Sequence, residues 1–531
     1  MEEFVQPMAT AFDSRDETQI CSKLQEFNKE NAQTFSFKDL NTETKKKLIG
    51  DILQCLGEAE YGIECKRLCL ETVRILSRDK FRLLQLQEEE GVSLLMKFAG
   101  LTNEDFIADA LVEAQKSLCN LVYNSQSVQQ ICGNTDCVQN MLMRVNNTGD
   151  PALNDDTRYY DLRLLFLITA FNRQSRSVAR LDCNGVSVLT NTLHSHVLQP
   201  DSTTITSKQL LLAVEVLKCF FNITIDVELN EENEETLELL GCAIQKLFLV
   251  RGPTEEEIEK LHGHLTNFLT VFLPKVCIKQ LIPESEEGAC GGSSIYMGHS
   301  MQCVNLLLKF MLKRLDEVEG NSRLSGLEVI SPALTALCAV SKTEALIRKY
   351  LKEKVLPPLT ATICSSLPEE GDSLRNRLVR FMTSPNTNVK ELVAEFLFIL
   401  CKENPGRLVK YTGYGNAAGL LARRGLMTLG KGHGDYSSDE DSDTDTYSDV
   451  IDKINPITGR VEENKPSPLE GMSDEQKEHE AQKLAQLCMK LSREGIIKPM
   501  SVGADGKMVS LEESFNQMSL PEEHDDSEED T

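Results

Sequence analysis

The chain has no tryptophan and only 6% aromatic residues. That composition speaks against a Trp/Tyr-rich β-sandwich. It leaves aliphatic helix packing as the natural use of the 41% apolar residues. Basic charge is also short: 56 Lys and Arg face 82 Asp and Glu, for a formal net charge of −26. Phosphate binding needs clustered Lys/Arg, so nucleic acid is excluded as a main partner, and so is an anionic membrane surface. No apolar run approaches the roughly 20 residues that span a bilayer. The N-terminus, MEEFVQPMATAFDSRDE, lacks the basic-then-apolar pattern of a signal peptide. A cytoplasmic location is therefore expected. The 17 cysteines show no paired CxxC spacing and read as small buried hydrophobes, with zinc or disulfide chemistry as the lesser reading. The sequons at Asn146 and Asn222 then read as chance matches.

Signatures of chemistry are missing as well. Gly503-Ala-Asp-Gly-Lys507 lacks the P-loop spacing. Gly413-Tyr-Gly415-Asn-Ala-Ala-Gly419 has one residue too many for a dinucleotide fingerprint and no βαβ unit around it, so it reads as a tight turn between helices. His262-Gly-His264 is joined by no cluster of metal ligands and reads as a packed or surface pair. There is no GxSxG or HExxH. The sequence predicts a protein that acts by binding, with no cofactor, no metal and no chemical step of its own.

At 531 residues one core is too small a plan, since cores stop growing near about 250–300 residues. Instead, similar helical segments recur, among them CLETVRILSRDK (69–80), AQKSLCNLVYNSQ (114–126), LRLLFLITAFNRQ (162–174), AVEVLKCFFNITID (213–226) and VKELVAEFLFILCKENP (389–405). With Leu118, Leu164, Leu217 and Leu265 as equivalent points, the spacings are 46, 53 and 48 residues. Armadillo and HEAT repeats run at about 40–47. Each segment is apolar nearly all round, as a helix sandwiched between neighbours must be. The spacing predicts an all-α armadillo/HEAT-type solenoid over 19–424, with a concave surface open to a partner. Gly149–Thr157 and Glu284–Ser300 read as loop insertions, the latter Gly/Ser-rich. Thr387 reads as the cap of a helix with the stripe Val389, Leu392, Val393, Phe396 and Leu400, and Asn404-Pro405-Gly406 as its end.

The tail is a different regime. Residues 435–531 hold 26 Asp/Glu against nine Lys/Arg. Expected here are an acidic linker over 425–472, one amphipathic helix over 473–494, and a disordered end over 495–531, matching a flexible stretch over 1–18 at the other terminus. Ser473-Asp-Glu-Gln476 is a capping box, followed by the apolar stripe Ala481, Leu484, Cys488 and Leu491 and by Gly495. Such a helix either folds back on the solenoid or docks into a partner's groove. Ser437, Ser438 and Ser442 each have a carboxylate three residues on, as an acid-directed kinase requires.

Polar residues inside the apolar helices are the remaining signal. Arg74, Arg78, Asn120, Asn124 and Asn222 fall near equivalent points of successive repeats. They form either a peptide-binding ladder or a set of side chains that satisfy backbone groups between repeats. Arg74 and Arg78, four apart, are expected one turn apart on one helix.

The words RILSRDK, SLCNLVYNSQ, DLRLLFLITA, FNITID, VLPPL, RNRLVRFMT, VAEFLFILCKE and KYTGYGNAAGLLARRGL, with INPITGRVEE and GMSDEQKEHEAQKLAQLCMKLSRE in the tail, resemble the synembryn family (resistance to inhibitors of cholinesterase). The resemblance runs in order from about Phe27 to the C-terminal region. It implies a cytosolic, monomeric guanine-nucleotide exchange factor and folding chaperone for heterotrimeric G-protein α subunits, both GDP-bound and nucleotide-free. It implies recruitment to the cell cortex or plasma membrane through that client. It further implies that the concave face grips the client's C-terminal helix through Arg74, Arg78 and Asn120; the repeat spacing adds Asn222 as a partner-binding residue. The tail helix, with Leu484, Cys488 and Leu491, would embrace the client's Ras-like domain, and a casein-kinase-type kinase would modify Ser437 and Ser442, with Ser438 beside them. Rival readings are an importin-like armadillo adaptor, which is disfavoured because those grooves use a Trp–Asn ladder, and a phosphatase-type HEAT scaffold.

Overall fold

In the computed structural model, helices follow one another from Glu2 to Arg424. The structure describes residues 2–37, 40–80, 83–102, 107–147, 153–199, 202–225, 227, 232–271, 273–285, 294–320, 326–428, 444–462, 471–503 and 507–511. The chain divides into two compact units, Met1–Leu307 and Leu308–Thr531.

The first unit contains α1 (Glu2–Ser14), α2 (Glu17–Glu30), α3 (Thr42–Gly57), α4 (Ile63–Leu76), α5 (Glu89–Phe98), α6 (Ala108–Asn124), α7 (Gln126–Gly133), α8 (Cys137–Asn146), α9 (Asp155–Phe171), α10 (Arg173–Ser177), α11 (Gly185–Thr192), α12 (Ser207–Thr224), α13 (Glu234–Leu249), α14 (Glu255–Phe268) and α15 (Lys275–Lys279). Packing follows the chain in two rows. In one, α2 lies against α4, α4 against α6, α6 against α9, α9 against α12 and α12 against α14. In the other, α3 lies against α5, α8 against α11, α11 against α13 and α13 against α15. Neighbours in one row belong to successive repeats, which is the order of an all-α solenoid.

The reason lies in the helices of the first row. In α6, Ala110, Leu111, Ala114, Leu118, Leu121 and Val122 are all buried, so three sides of the helix are spent on packing and one stays open. Buried polar groups pin neighbouring repeats together. Asp161 of α9 accepts from Gln115 Nε2 at 2.6 Å and from Arg144 of α8. Arg144 also donates to the Ala99 and Gly100 carbonyls at 2.7 and 2.8 Å, closing the end of α5.

The stretch expected to be a flexible N-terminus, 1–18, is instead mostly α1. Val5, Met8, Ala11 and Phe12, spaced three and four apart, are buried, and α1 packs on α2 and α3. The insertion at 284–300 has residues 286–293 outside the described set. Its flanks close as a two-stranded ribbon, Ile295–Tyr296 against His299–Ser300.

The helix α16 (Gln302–Gly320) runs through the boundary between the units. Beyond it come α17 (Gly326–Thr343), α18 (Ala345–Val355), α19 (Leu374–Met382), α20 (Thr387–Leu400), α21 (Pro405–Thr412) and α22 (Tyr414–Arg424), with α20 packed on α17, α18, α19 and α22. Asn386, not Thr387, caps α20, its Oδ1 accepting the Val389 N–H. Asn404 and Pro405 begin α21 rather than ending α20, which stops at Leu400.

The acidic linker expected over 425–472 contains a docked strap. Thr444 Oγ1 donates to the Leu359 carbonyl, the Val461 N–H to Cys364 O at 2.7 Å, and the N–H groups of Tyr414 and Gly415 to Pro456 O and Ile457 O at 2.9 and 3.0 Å. Tyr447, 5% exposed, is the strap's buried anchor, with Lys410 Nζ over its ring. The strap includes α23 (Asp445–Ser448), and α24 (Asp474–Arg493) follows. The end expected to be disordered, 495–531, carries a hairpin, Met500–Val502 with Met508–Ser510. Among the described residues, no helix is long and apolar enough to cross a membrane.

Candidate partner-binding faces

The open side of the first row carries a chain of charged and aromatic contacts. On α4, Glu71 and Arg74 pair at 3.2 Å, and Arg74 Nε reaches Glu113 of α6 at 2.6 Å. Glu113 also accepts from Lys116 at 2.8 Å, and Lys116 Nζ lies 5.3 Å above the Tyr160 ring of α9. Arg163 of α9 bridges to Glu215 of α12 at 3.1 Å. Lys218 joins the same carboxylate at 2.5 Å and covers the Phe166 ring. Burial raises the proton affinity of Glu113, but Lys116 and Arg74 outweigh it, and its carboxyl titrates below the ordinary value. Beside this chain a cavity of about 290 Å³ opens among Lys116, Asp155, Tyr160, His196, Lys208 and Leu211, near the lower end of the range for ligand pockets.

Arg74 is thus half of a carboxylate ladder. Arg78 is not one turn further along α4, as expected, because α4 ends at Leu76. The helix stops there because Asp79 is drawn inward, where it accepts the Phe37 N–H at 3.0 Å and lies 3.7 Å from Lys45. Arg78 instead donates to the Ala32 and Thr34 carbonyls at 2.7 and 3.3 Å and stacks on Phe35, itself 66% exposed. Among the described residues no carboxylate pairs with Arg78. Burial, then the neighbouring Arg74, lowers its proton affinity.

The asparagines bond the helices to one another. Asn120 Nδ2 donates to Arg74 O and Ser77 Oγ, both at 3.1 Å; Asn124 Nδ2 donates to Ser77 O at 3.1 Å; Asn222 Nδ2 donates to Phe166 O at 2.9 Å and to Thr169 Oγ1 at 3.0 Å. Each satisfies groups near the end of the preceding helix of the row, the backbone-satisfying alternative raised by the sequence. Sequence reasoning missed Glu71, Glu113, Lys116, Glu215 and Lys218. Their signal is a repeated E-x-x-[K/R] step, Glu71/Arg74, Glu113/Lys116 and Glu215/Lys218, with Asn120 and Asn222 four residues after the two lysines.

His262 and His264 are a packed pair. His262 Nε2 faces Phe248 O at 3.1 Å, and burial pushes His264 down to about 4. Gly413, at φ 74°, is the turn between α21 and α22.

A second face is apolar. The capping box at Ser473 is formed, with its Oγ accepting the Gln476 N–H and Gln476 Oε1 accepting the Ser473 N–H, and α24 has no buried residue. Leu484, Leu487 and Met489 are 61%, 53% and 62% exposed, Cys488 is exposed, and Leu491 is half-buried. Ser437, Ser438 and Ser442 lie outside the described residues. Between α20 and α22 a cavity of about 700 Å³ is lined by Asn388, Glu391, Glu395, Leu420, Arg423 and Arg424. In it Arg423 is paired with Glu391 and Arg424 with Glu395.

Comparison with known proteins agrees with the family resemblance of the sequence. The family model described as guanine nucleotide exchange factor synembryn matches residues 69–507. "Chaperone Ric-8A" of Xenopus laevis is 39% identical, covering 97% of this chain and 97% of its own length. The same-named proteins of Danio rerio and Gallus gallus are 40% and 39% identical, covering 94% and 95% of this chain and 93% and 96% of theirs. The chain belongs to the guanine nucleotide exchange factor synembryn family.

Proposed function

We propose that this protein holds a G-protein α subunit in its nucleotide-free form, and so both releases GDP from it and stabilises it during folding. The observation that carries the reading is Arg78: a guanidinium held in place by two carbonyls and an exposed phenyl ring, with no carboxylate partner among the described residues. Such a cation suits the terminal carboxylate or an acidic side chain of a client helix lying along α4 and α6. Arg74, already bonded to Glu113, fixes the ladder beside it rather than presenting a free charge. The stripe of exposed Leu484 and Cys488 with half-buried Leu491 supports a second contact, an amphipathic helix laid on the client's surface.

The mechanism is a binding preference, and no bond is made or broken. A protein that binds the empty client more tightly than the loaded one weakens the client's grip on nucleotide by the same factor. Occupying the empty state also stabilises it by mass action, which is the chaperone role. In this reading the protein is a cytoplasmic monomer that meets the membrane only through its client, and an acid-directed kinase modifying Ser437 and Ser442 strengthens the interaction.

The test is GDP release from each class of purified α subunit, with and without the protein. Faster release is expected, and Arg78→Glu should cut it at least tenfold, since a charge-assisted bond contributes about 1.5–3 kcal/mol and the variant adds repulsion. A folded Arg78→Glu protein with undiminished activity would remove the reading's main support.

A further inference from the structure

Nucleotide exchange does not account for three cysteines that meet inside the first unit. Cys65 and Cys69 lie one turn apart on α4, and Cys55 lies in the last turn of α3. Cys55 Sγ is 3.7 Å from Cys65 Sγ and 3.7 Å from Cys69 Sγ, and the three sulfurs all lie within 4.8 Å of one another. None of these residues is more than 1% exposed. A second triad shares Cys65: the sulfur of Cys21 on α2 and a carboxylate oxygen of Glu17 lie within the same 4.8 Å of its sulfur and of each other. Cys21 is half-buried and gives the cluster an edge toward solvent.

The spacing is that of a metal tetrahedron. Zinc holds thiolate sulfur at about 2.3 Å, which sets neighbouring sulfurs about 3.8 Å apart. Two edges of the cluster already have that length. Isolated buried thiols in the same unit behave otherwise: Cys219 donates to Leu162 O and Cys303 to Gln245 O. Cys65 is the third residue of α4, so Cys65 and Cys69 present their sulfurs on one side of its first two turns. Gly62 caps that helix without a side chain, and its N–H donates to Glu17 Oε1 at 2.9 Å, fixing the carboxylate beside the sulfurs.

We propose that Cys55, Cys65 and Cys69, with Cys21 as fourth ligand, form a structural zinc site that ties α2, α3 and α4 together. Cys21 completes the tetrahedron by turning its side chain toward Cys55 and Cys69, and Glu17 stays on the Gly62 N–H. Each thiol that ligates releases its proton to solvent, no oxidation state changes, and zinc binding tightens as pH rises.

The full-length protein, purified in reducing buffer and dialysed against metal-free buffer, is expected to retain about one zinc per chain by plasma mass spectrometry. Cobalt in its place should give the intense visible bands of tetrahedral thiolate coordination. Cys65→Ala should lose the metal, while Cys277→Ala, away from the cluster, should keep it. If Cys65→Ala does not fold, Cys21→Ser, altered at the half-buried position, should release zinc to a chelator at least tenfold more readily than the unaltered protein. An unaltered protein that carries no zinc and takes up none at equimolar concentration overturns the proposal. So does retention unchanged in both cluster variants, or a disulfide between Cys55 and Cys65 in freshly reduced protein.

Discussion

Gly459 of the strap packs backbone to backbone on Gly413 of the α21–α22 turn, and both have φ of 74°. A β-carbon on Gly459 would lie 3.1 Å from Gly413 Cα and 2.8 Å from Pro368 Cγ. Gly459→Ala therefore combines left-handed backbone strain, about 1 kcal/mol or more, with a clash that pushes the strap outward. Hydrogen exchange across 444–462 should rise while exchange in α6 and α9 stays unchanged. Unaltered protection of the strap would show that this contact does not hold it.

Asn120→Ala removes donors to Arg74 O and Ser77 Oγ. Leaving those acceptors partly unpaired should cost about 1 kcal/mol, read as a lower urea midpoint. Asn222→Ala should cost more, because Asn222 is only 7% exposed. Binding changes no larger than these stability losses would mark the asparagines as repeat-to-repeat fasteners. Larger ones would make them client contacts.

Leu484→Asp separates stability from binding. Leu484 is 61% exposed, so unfolding should shift by less than about 0.5 kcal/mol. GDP release should fall at least tenfold if α24 lies on the client. Normal release in this variant would dismiss α24 as a docking helix.

His264 gives a pH signature. Burial, and then Lys218, hold its proton affinity down to about 4 from the ordinary 6.5; Glu215 works in the opposite direction and Lys260 adds to the lowering. The folded state binds fewer protons than the unfolded chain between those values, so stability rises with pH across that window and is lost as pH falls from 6.5 toward 4. His262 is shifted in the same direction by burial. His264→Gln should lose less stability than the unaltered protein between about pH 7 and pH 5 in urea titrations. Parallel losses would show that His264 titrates alike in the folded and unfolded states.

Phosphorylation is expected to act through specific partners, because added charge alone changes little in so acidic a tail. Arg423 and Arg424 are already engaged by Glu391 and Glu395, so a phosphate at Ser437 or Ser442 must displace a carboxylate to reach them. Kinase treatment should raise hydrogen-exchange protection across 410–450 and speed GDP release. Neither change should occur in the Ser437→Ala/Ser442→Ala protein; equal gains there would leave those serines without a role.

Much of the fold was legible because each helix of the first row repeats the same demand: apolar on three sides and open on one. Arg78 was misread because helical spacing alone does not reveal that Asp79 leaves the helix for Lys45 and the Phe37 N–H. That pull comes from residues about forty positions away. α1 was missed because its apolar residues Val5, Met8 and Phe12 sit among acids and include a proline at position 7, which weakens the local signal. The strap was hidden for a different cause: it docks through backbone groups and glycines rather than an apolar stripe. The cysteines show no metal spacing along the chain because the turn between α3 and α4, and not the sequence interval, brings Cys55 to Cys65 and Cys69.

The strap also sets a radius of search. The chain leaves its last docked residue at Glu462 and re-enters description at Gly471, just before α24. A fully extended residue spans at most about 3.5 Å, so Asp474, the first residue of α24, starts no farther than about 42 Å from that anchor. If the strap lifts, the same bound measured from Thr428 grows to about 160 Å. The sphere within that bound is then about fiftyfold larger, and the local concentration of α24 near a client held by the same chain would fall accordingly. Two glycines in contact would thereby govern how quickly the amphipathic α24 finds a target.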